Sequence, residues 1–361
     1  MERTYESALG TLHFSDPKLH VDNKSRHRSG HMSHAMVQYG PGKIIAFNSN
    51  CSPQRVNGHS AFGFVEYRYS EDYAQTWSDI HLVTPTFDAL LNGIYTHSIE
   101  KAVLLDGAIT CFATSNTQNH DICCEPWGPP VIIRSLDLGK SWEEAVEFCP
   151  WRGRIYDAKT KDGIIYVLMF CNPEFVGRYP DDVYRLFVSI DGGKTFSVRS
   201  VVDIDPMDHG YGALQFRPDG SLLVYACNIA DANRLSVSRS DDLGKTWRCL
   251  PDIILKHGIR NVQIAPLEDG YVMHGRAWLT HDSGRGEVVY ASKDGLEWDD
   301  GLLLNTEKQA CYYSNMLPLK HPDGKEELLL QYSDSVLDDP DTANENNWGH
   351  VNVMHRFLYF A

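Results

Sequence analysis

One short pattern recurs along this chain at a nearly constant interval. It reads Ser-x-Asp-x-Gly-x-Thr/Ser-Trp/Phe and is called the Ser-Asp turn below. Its five copies begin at Ser70, Ser135, Ser189, Ser240 and Ser292. Three copies are complete, whereas Ala74 replaces the glycine in the first and the last is one residue short. Copies that begin 51 to 65 residues apart predict a solenoid, an array or a propeller.

A second repeat lies inside the same units. Six times a turn precedes a short apolar run, in residues 40–47, 105–113, 161–170, 218–226, 268–275 and 322–332. Five of these turns contain Asp-Gly, a hairpin signal because glycine accepts the positive φ that such turns need. A strand-like run precedes each hairpin, and a further strand such as residues 234–240 leads into each Ser-Asp turn. Four antiparallel strands repeated six times predict an all-β, six-bladed β-propeller.

The last unit has no Ser-Asp turn, and residues 349–361 simply end the chain. Because a propeller ring must close, we expect an early strand within residues 7–14 to complete the final blade. The repeats run through nearly the whole chain, so we interpret residues 1–361 as one propeller domain.

Charge and composition limit the class of partner. The net charge of −15 argues against a nucleic-acid groove, which needs a basic surface. No run approaches the roughly 18 apolar residues of a membrane span, and residues 1–10 lack an apolar signal core. The nine cysteines, an odd number that includes the neighbours Cys123 and Cys124, suggest reduced thiols and a cytoplasmic location. We expect neither nucleic acid nor membrane as a partner; the oligomeric state stays open.

The topology predicts which face carries chemistry. The Asp-Gly hairpins and the Ser-Asp turns both follow odd-numbered strands of a blade, so they fall on one face of the disc. The opposite face receives the beginnings of the innermost strands and the long loops between second and third strands. Functional residues concentrate on such loops. We therefore assign the Ser-Asp turns a structural role and place the site on the opposite face.

The Ser-Asp turns resemble the Asp-box (BNR) repeats of the sialidase superfamily. The segment CYYSNMLPL, residues 311–319, resembles the strand that carries the nucleophile of that family. The resemblance implies a carbohydrate-active enzyme with Tyr313 as the nucleophile and Tyr312 beside it. It also places His59 where the family has its acid/base aspartate.

Three residue types of the family are missing here. The strand that carries the family's first arginine reads GHMSHAMVQY, which places Ser33 or a neighbouring histidine there. The family's glutamate would fall near Ala213, and His59 stands in place of the aspartate. Histidines recur instead where innermost strands begin, and the side chain titrates nearest neutrality. The predicted catalytic set is Tyr313, His59, His31, His97 and His209.

Other residues near these strand beginnings suit a sugar ligand. Arginines clamp carboxylates or sulfates with two hydrogen bonds, and aromatic faces pack against sugar rings. The predicted substrate-binding set is His34, Arg154, Asp157, Tyr211, Arg260, Arg276, Tyr312, Trp278 and Trp348, with Trp127 and His257 as further candidates.

Three functions are compatible with these residues, and the favoured one is an exo-glycosidase that cleaves an acidic or deoxy sugar. An alternative is a lyase that eliminates a substituent of a uronate, with Tyr313 or a histidine as the base. Another is a glycan-binding propeller without catalysis. We expect an oligosaccharide or glycoside as substrate and no cofactor, although His31, His97 and His209 could hold a metal in a variant of the lyase.

Overall fold

The computed structural model describes residues 3–53, 62–117, 128–278, 285–304, 313–334 and 349–360. These ranges form six antiparallel β-sheets arranged as the blades of a propeller, which confirms the predicted fold class. They contain a single helix, α1 (Thr84–Leu91), with Pro85 in its first turn, where the missing N–H costs nothing. No helix in them is long and apolar enough to cross a membrane.

Each blade is built on four strands that lie side by side, the first nearest the propeller axis and the fourth farthest from it. Blade 1 contains β4 (Met36–Gly40), β5 (Lys43–Cys51), β6 (Gly63–Ser70) and β7 (His81–Leu82). Blade 2 contains β8 (Ile94–Leu105), β9 (Ala108–Thr117), β10 (Val131–Ser135) and β11 (Val146–Glu147). Blade 3 contains β12 (Arg154–Lys161), β13 (Ile164–Cys171), β14 (Val183–Ser189) and β15 (Ser197–Val201).

The second half of the ring repeats this plan. Blade 4 contains β16 (His209–Phe216), β17 (Leu222–Asn228), β18 (Arg234–Ser240) and β19 (Arg248–Cys249), with β20 (Ile253–Ile254) also paired to β18. Blade 5 contains β21 (Arg260–Leu267), β22 (Gly270–Trp278), β23 (Arg285–Ser292) and β24 (Leu302–Leu304). Blade 6 contains β25 (Ser314–Lys320), β26 (Glu326–Ser333) and β27 (Val353–Phe360).

The N-terminal strands complete blade 6. They are β1 (Arg3–Ser7), β2 (Gly10–Phe14) and β3 (Lys18–Val21). β2 pairs with the C-terminal half of β27, where Leu12 faces Phe360, and β3 pairs with the N-terminal half of β27, where Val21 faces Val353. The predicted ring closure through residues 7–14 is therefore confirmed.

Apolar side chains fill the spaces between adjacent blades. Ile45 and Phe47 of blade 1, for example, pack in one cluster with Ile109 and Ala113 of blade 2. Similar clusters join the other neighbouring blades, including blades 6 and 1. We call the face where innermost strands begin the upper face and the face with the hairpins and Ser-Asp turns the lower face.

The Ser-Asp turn is a network of side-chain-to-backbone hydrogen bonds. In the fourth copy the buried Ser240 hydroxyl donates to Asp242 Oδ1 (2.7 Å) and accepts the Gly244 N–H (2.7 Å). Asp242 also accepts the backbone N–H (2.9 Å) and the hydroxyl (2.8 Å) of Thr246. The same serine-to-aspartate bond occurs in the other four copies.

The turns also join successive blades. The Gly139 carbonyl of the blade 2 turn accepts bonds from Tyr67 and Tyr69 of blade 1, both at 2.9 Å. Ser200 of blade 3 donates to the Gly244 carbonyl of blade 4 (2.6 Å). Tyr225 of blade 4 donates to the Gly295 carbonyl of blade 5 (2.8 Å). The predicted structural role thus includes interblade hydrogen bonds.

Close packing explains the glycine of the turn. Gly244 has φ 80°, and a Cβ there would collide with Leu186 of the preceding blade. The first copy has Ala74 at this position with φ 62°, and its methyl group packs into the apolar cluster between blades 6 and 1.

We expect Ser240→Ala to lower the free energy of unfolding by about 1–3 kcal/mol, because it leaves the buried Gly244 N–H without its acceptor. Urea denaturation measures the loss. Ser197→Ala, at an exposed serine of β15, is the control and should change stability by less than about 0.5 kcal/mol. Equal effects of the two substitutions would contradict the role given to the turn.

Candidate functional site

Register shifts occur in the innermost strands of five blades; the one in β4 lies between Gln38 and Gly40, close to its hairpin. In the other four blades the relevant shifts lie between Ile99 and Lys101, Ile155 and Asp157, Gly210 and Ala213, and Arg260 and Gln263. Bulges release residues from strand alternation and re-aim their side chains. The released positions include Glu100, Tyr156, Tyr211 and Asn261.

Backbone strain accompanies these bulges. Tyr211 has φ 59° and Asn261 has φ 53°, both in the left-handed region. Ser33, just before β4, has φ 64°, and its buried hydroxyl has no hydrogen-bond partner among the described residues. Strain of this kind costs about 1–3 kcal/mol per residue and clusters at functional sites. The upper end of the axis is therefore the strongest candidate for a site.

A buried ion pair lies at this end. Arg154, at the start of β12, has only 2% of its side-chain surface exposed, and its Nη2 lies 2.9 Å from both carboxylate oxygens of Glu100. Three tyrosine rings surround the guanidinium, with centroids 5.4 Å (Tyr156), 5.9 Å (Tyr211) and 4.8 Å (Tyr313) from its Cζ. A charge this deeply buried needs both its carboxylate partner and such aromatic faces.

Tyr313 precedes β25 and contacts the same arginine. Arg154 Nη1 lies 3.5 Å from the Tyr313 hydroxyl, and the Tyr211 ring lies 6.4 Å from the Tyr313 ring. Burial raises the pKa of Tyr313 strongly and Tyr211 raises it further, while Arg154 and Arg276 oppose the shift. Arg276, on β22, donates to the Tyr211 hydroxyl at 3.1 Å. Burial therefore keeps Tyr313 protonated, and the two guanidinium groups offset only part of this effect.

A polar layer lies below this cluster along the axis, in a cavity of about 430 Å³. Lys101 of blade 2 contacts the side-chain oxygens of Gln263 and Asn315, and its Nζ lies 3.5 Å from Asp157. Asn315 Nδ2 in turn donates to the Glu100 carbonyl (3.1 Å). These bonds connect blades 2, 3, 5 and 6 directly beneath the Arg154–Glu100 pair.

Asp157, a predicted substrate-binding residue, belongs to this polar layer. Its Oδ1 accepts the Ala158 N–H and its Oδ2 accepts the Leu214 N–H, both at 2.9 Å. Lys159 lies nearby and donates to Gln215 Oε1 (3.0 Å). The Asp157 carboxylate therefore holds the backbones of blades 3 and 4 together.

The histidines on the blade 1 and blade 2 side are buried. His31 Nδ1 lies 3.2 Å from the Ser29 hydroxyl, and the His31 carbonyl accepts a bond from Ser333, which also bonds to the Tyr313 backbone. Burial lowers the pKa of His34 to about 3, with His31 contributing, and burial lowers the pKa of His97 to about 4. His34 and His97 are therefore neutral at physiological pH.

His209 and Arg260 bond to groups away from the tyrosine cluster. His209 Nδ1 bonds to the Met207 carbonyl (2.7 Å) and its Nε2 to the Ser236 hydroxyl (2.9 Å) on β18. Arg260 donates to the Ile229 carbonyl (2.9 Å). His257 donates its backbone N–H to Tyr290, and burial lowers its pKa.

Several predicted site residues lie outside the described ones. His59, Tyr312, Trp127 and Trp348 belong to this group, and the side chain of Trp278 at the end of β22 is also not described. Across the ranges given above, no group of three or more histidine, cysteine, aspartate or glutamate side chains is arranged to hold a metal ion. The metal-bound variant of the lyase thus has no support from the described residues.

Sequence reasoning missed Glu100 and Tyr156. The available signal was the charged pair Glu100–Lys101 within residues 99–105 (IEKAVLL), a stretch of the innermost strand that is otherwise apolar. A charge at such a position needs a buried partner, because an unpaired charge is costly there. Tyr156 had no comparable signal, since tyrosine is common in strands.

Comparisons with known proteins agree with the fold. No family model and no curated protein matches the chain. Among solved structures, a protein of unknown function from Dyadobacter fermentans matches with TM-score 0.70 and 14% identity, over 97% of this chain and 99% of that one. The phage phi92 endosialidase matches with TM-score 0.65 and 10% identity, over 99% and 72%. Trypanosoma rangeli sialidase in complex with the inhibitor DANA matches with TM-score 0.58 and 14% identity, over 92% and 55%. The chain therefore has a sialidase-like propeller fold.

We expect Glu100→Ala to lower the free energy of unfolding by about 3–5 kcal/mol, because the buried Arg154 charge loses its carboxylate partner. The matched control is Glu143→Ala, which removes the partner of Arg134 from a pair with a half-exposed carboxylate. That change should cost less than about 1 kcal/mol. Chemical denaturation of both variants measures the difference, and similar losses would argue against a structural dependence on the Arg154–Glu100 pair.

Proposed function

We propose that this chain is a carbohydrate-active enzyme that hydrolyses the glycosidic bond of an acidic or deoxy sugar, with Tyr313 as the nucleophile. The observation that carries the proposal is the Tyr313 hydroxyl at 3.5 Å from the Arg154 guanidinium, at the strained upper end of the propeller axis. The fold shared with sialidases supports the same class of substrate.

A phenol is a weak nucleophile at neutral pH because its ordinary pKa is about 10, and burial raises the pKa of Tyr313 further. The positive charges of Arg154 and Arg276 offset part of that cost by stabilising the phenolate. In the proposed reaction Tyr313 loses its phenolic proton to solvent, and the phenolate oxygen bonds to the anomeric carbon while the glycosidic C–O bond breaks. His59 donates a proton to the leaving oxygen. It then takes a proton from the water that attacks the anomeric carbon, and the bond to Tyr313 breaks to release the phenolate.

Arg276 is our choice for the carboxylate of an acidic sugar. Arg276 is buried at the same end of the propeller axis as Tyr313 and helps to lower the pKa of the Tyr313 hydroxyl. It also donates to the Tyr211 hydroxyl at 3.1 Å, which fixes its guanidinium beside the tyrosine cluster. A substrate carboxylate beside Arg276 would gain a charge-assisted hydrogen bond.

A second candidate function is β-elimination from a uronate. The observation that favours it is the contact of the Tyr313 hydroxyl with the Arg154 guanidinium, whose fixed positive charge stabilises a phenolate. A phenolate held in this way is also a strong base. It would take the proton next to the uronate carboxylate, a carbon–carbon double bond would form, and the substituent would leave with its electron pair and gain a proton.

The test is incubation with a panel of acidic and deoxy oligosaccharides, read by mass spectrometry and ultraviolet absorbance. Products that have gained water indicate hydrolysis, and absorbance from a new conjugated double bond indicates elimination. Binding without turnover of any sugar would favour the glycan-binding alternative and contradict the proposed enzyme.

We expect Tyr313→Phe to reduce turnover of a confirmed substrate by about a hundredfold or more, because only the reacting hydroxyl is lost. The matched control is Tyr166→Phe, because Tyr166 is also a buried tyrosine but lies on β13 in blade 3. This variant should leave turnover within about threefold of wild type. Wild-type turnover by folded Tyr313→Phe protein would exclude Tyr313 as nucleophile and as base.

A further inference from the structure

Two buried histidines lie where the ring closes. His20 is on β3 and His355 is on β27, with 2% and 3% of their surfaces exposed. Their ring centroids are 5.6 Å apart and nearly perpendicular. Trp77, from the first Ser-Asp turn, contacts both rings, at 4.5 and 5.8 Å. We call this contact of β3 and β27 with blade 1 the closure interface.

The ring nitrogens of this interface lack polar partners. Neither nitrogen of His20 nor of His355 has a hydrogen-bond partner among the described residues, and the same holds for the nearby His34. Buried polar atoms are paired in the great majority of cases, so three such rings in one region are unusual. Each ring packs as a neutral group, and a protonated ring would be a buried charge without a counterion.

The charged groups around the closure interface are mainly positive. Arg68 on β6 donates to the His20 carbonyl and to the Ser78 carbonyl (2.7 Å), and so holds blade 1 against β3. Lys18 on β3 acts electrostatically on His355, and Asp79 of blade 1 acts on Arg68. A proton on His20 or His355 would therefore add positive charge beside Arg68 and Lys18.

We propose that the closure interface is acid-sensitive: protonation of His20 and His355 releases the N-terminal strands from β27 and blade 1 while blades 2 to 5 stay folded. The proposal is independent of the function proposed above. It concerns how the ring is held closed.

The pH window follows from the two states. Burial, then Lys18 and Arg68, lower the pKa of His355 to about 4, and burial, then His355, Arg68 and His34, lower the pKa of His20 well below its usual value. In the released state both histidines return to about 6.5. As pH falls from about 6.5 to 4, the released state binds protons that the closed state does not, so closure weakens through this window.

Release would reach the candidate site through blade 1. His34 helps to lower the pKa of His20, and His31 helps to lower the pKa of His34. The three histidines therefore form a series of neighbours that begins at the closure interface. The His31 carbonyl shares the Ser333 hydroxyl with the Tyr313 carbonyl. Opening of the interface would therefore disturb the backbone that positions Tyr313.

Hydrogen–deuterium exchange of the wild-type chain, corrected for intrinsic rates, tests the proposal at about pH 7.5 and about pH 4.5. We expect protection of β2, β3 and β27 to fall by at least about a hundredfold at the lower pH, while β13 in blade 3 keeps its protection. Equal loss of protection in β13 and β3, or none in either, would overturn the proposal.

His20→Phe and His355→Phe separate the histidines from general acid effects. Phenylalanine keeps an aromatic ring, cannot bind a proton and loses no hydrogen bond, because the histidine nitrogens have none among the described residues. We expect each substitution to reduce the acid-induced loss of protection in β3 by about tenfold or more. The control is His81→Phe at an exposed histidine of β7, which should keep the wild-type response.

Two results of the variants would contradict the proposal. One is an unchanged acid response in folded His20→Phe and His355→Phe proteins. The other is strong destabilisation of both variants at about pH 7.5, which would mean that the ring nitrogens bind a polar partner in solution. If a variant fails to fold, the wild-type exchange profile still decides between local release and uniform unfolding.

Discussion

Closure of the ring is the constraint on which the rest of this structure depends. Blade 6 is assembled from both ends of the chain, with β1, β2 and β3 added to β25, β26 and β27. Without that pairing, β27 would present an open sheet edge and blade 1 would lose its contacts with β3. The tyrosine cluster needs the closed ring because Glu100, Arg154 and Tyr313 come from three different blades and meet only when all six innermost strands surround one axis.

The charged side chains at the propeller axis are enclosed by the apolar layers that pack between the blades. Arg154 and Glu100 form a pair in the upper cluster, and Lys101 and Lys159 are surrounded by amide and carbonyl oxygens below it. Each cation has partners supplied by a different blade. Arg154 thereby connects the Glu100 carboxylate of blade 2 with the Tyr313 hydroxyl of blade 6.

The fold could be predicted from the sequence because its signals are local. Asp-Gly hairpins and Ser-Asp turns are specified by a few neighbouring residues, and they recur often enough to count the blades. The arrangement around Tyr313 depends on bulges. A bulge adds one residue to a strand, so it changes the sheet face to which the side chains point, and it leaves no sequence signature. Strict alternation cannot therefore locate Glu100 or Tyr156. His209 shows a similar limit, because its partner Ser236 lies 27 residues away on another strand of the same blade.

The interblade hydrogen bonds of the lower face have a consequence for sequence divergence. In the bonds from Tyr67, Ser200 and Tyr225 the acceptor is a backbone carbonyl of a turn glycine, which no substitution of the donor can remove. Donors come from a third strand (Tyr67), a fourth strand (Ser200) and a second strand (Tyr225). Selection can therefore replace one donor by another from a different strand without losing the connection.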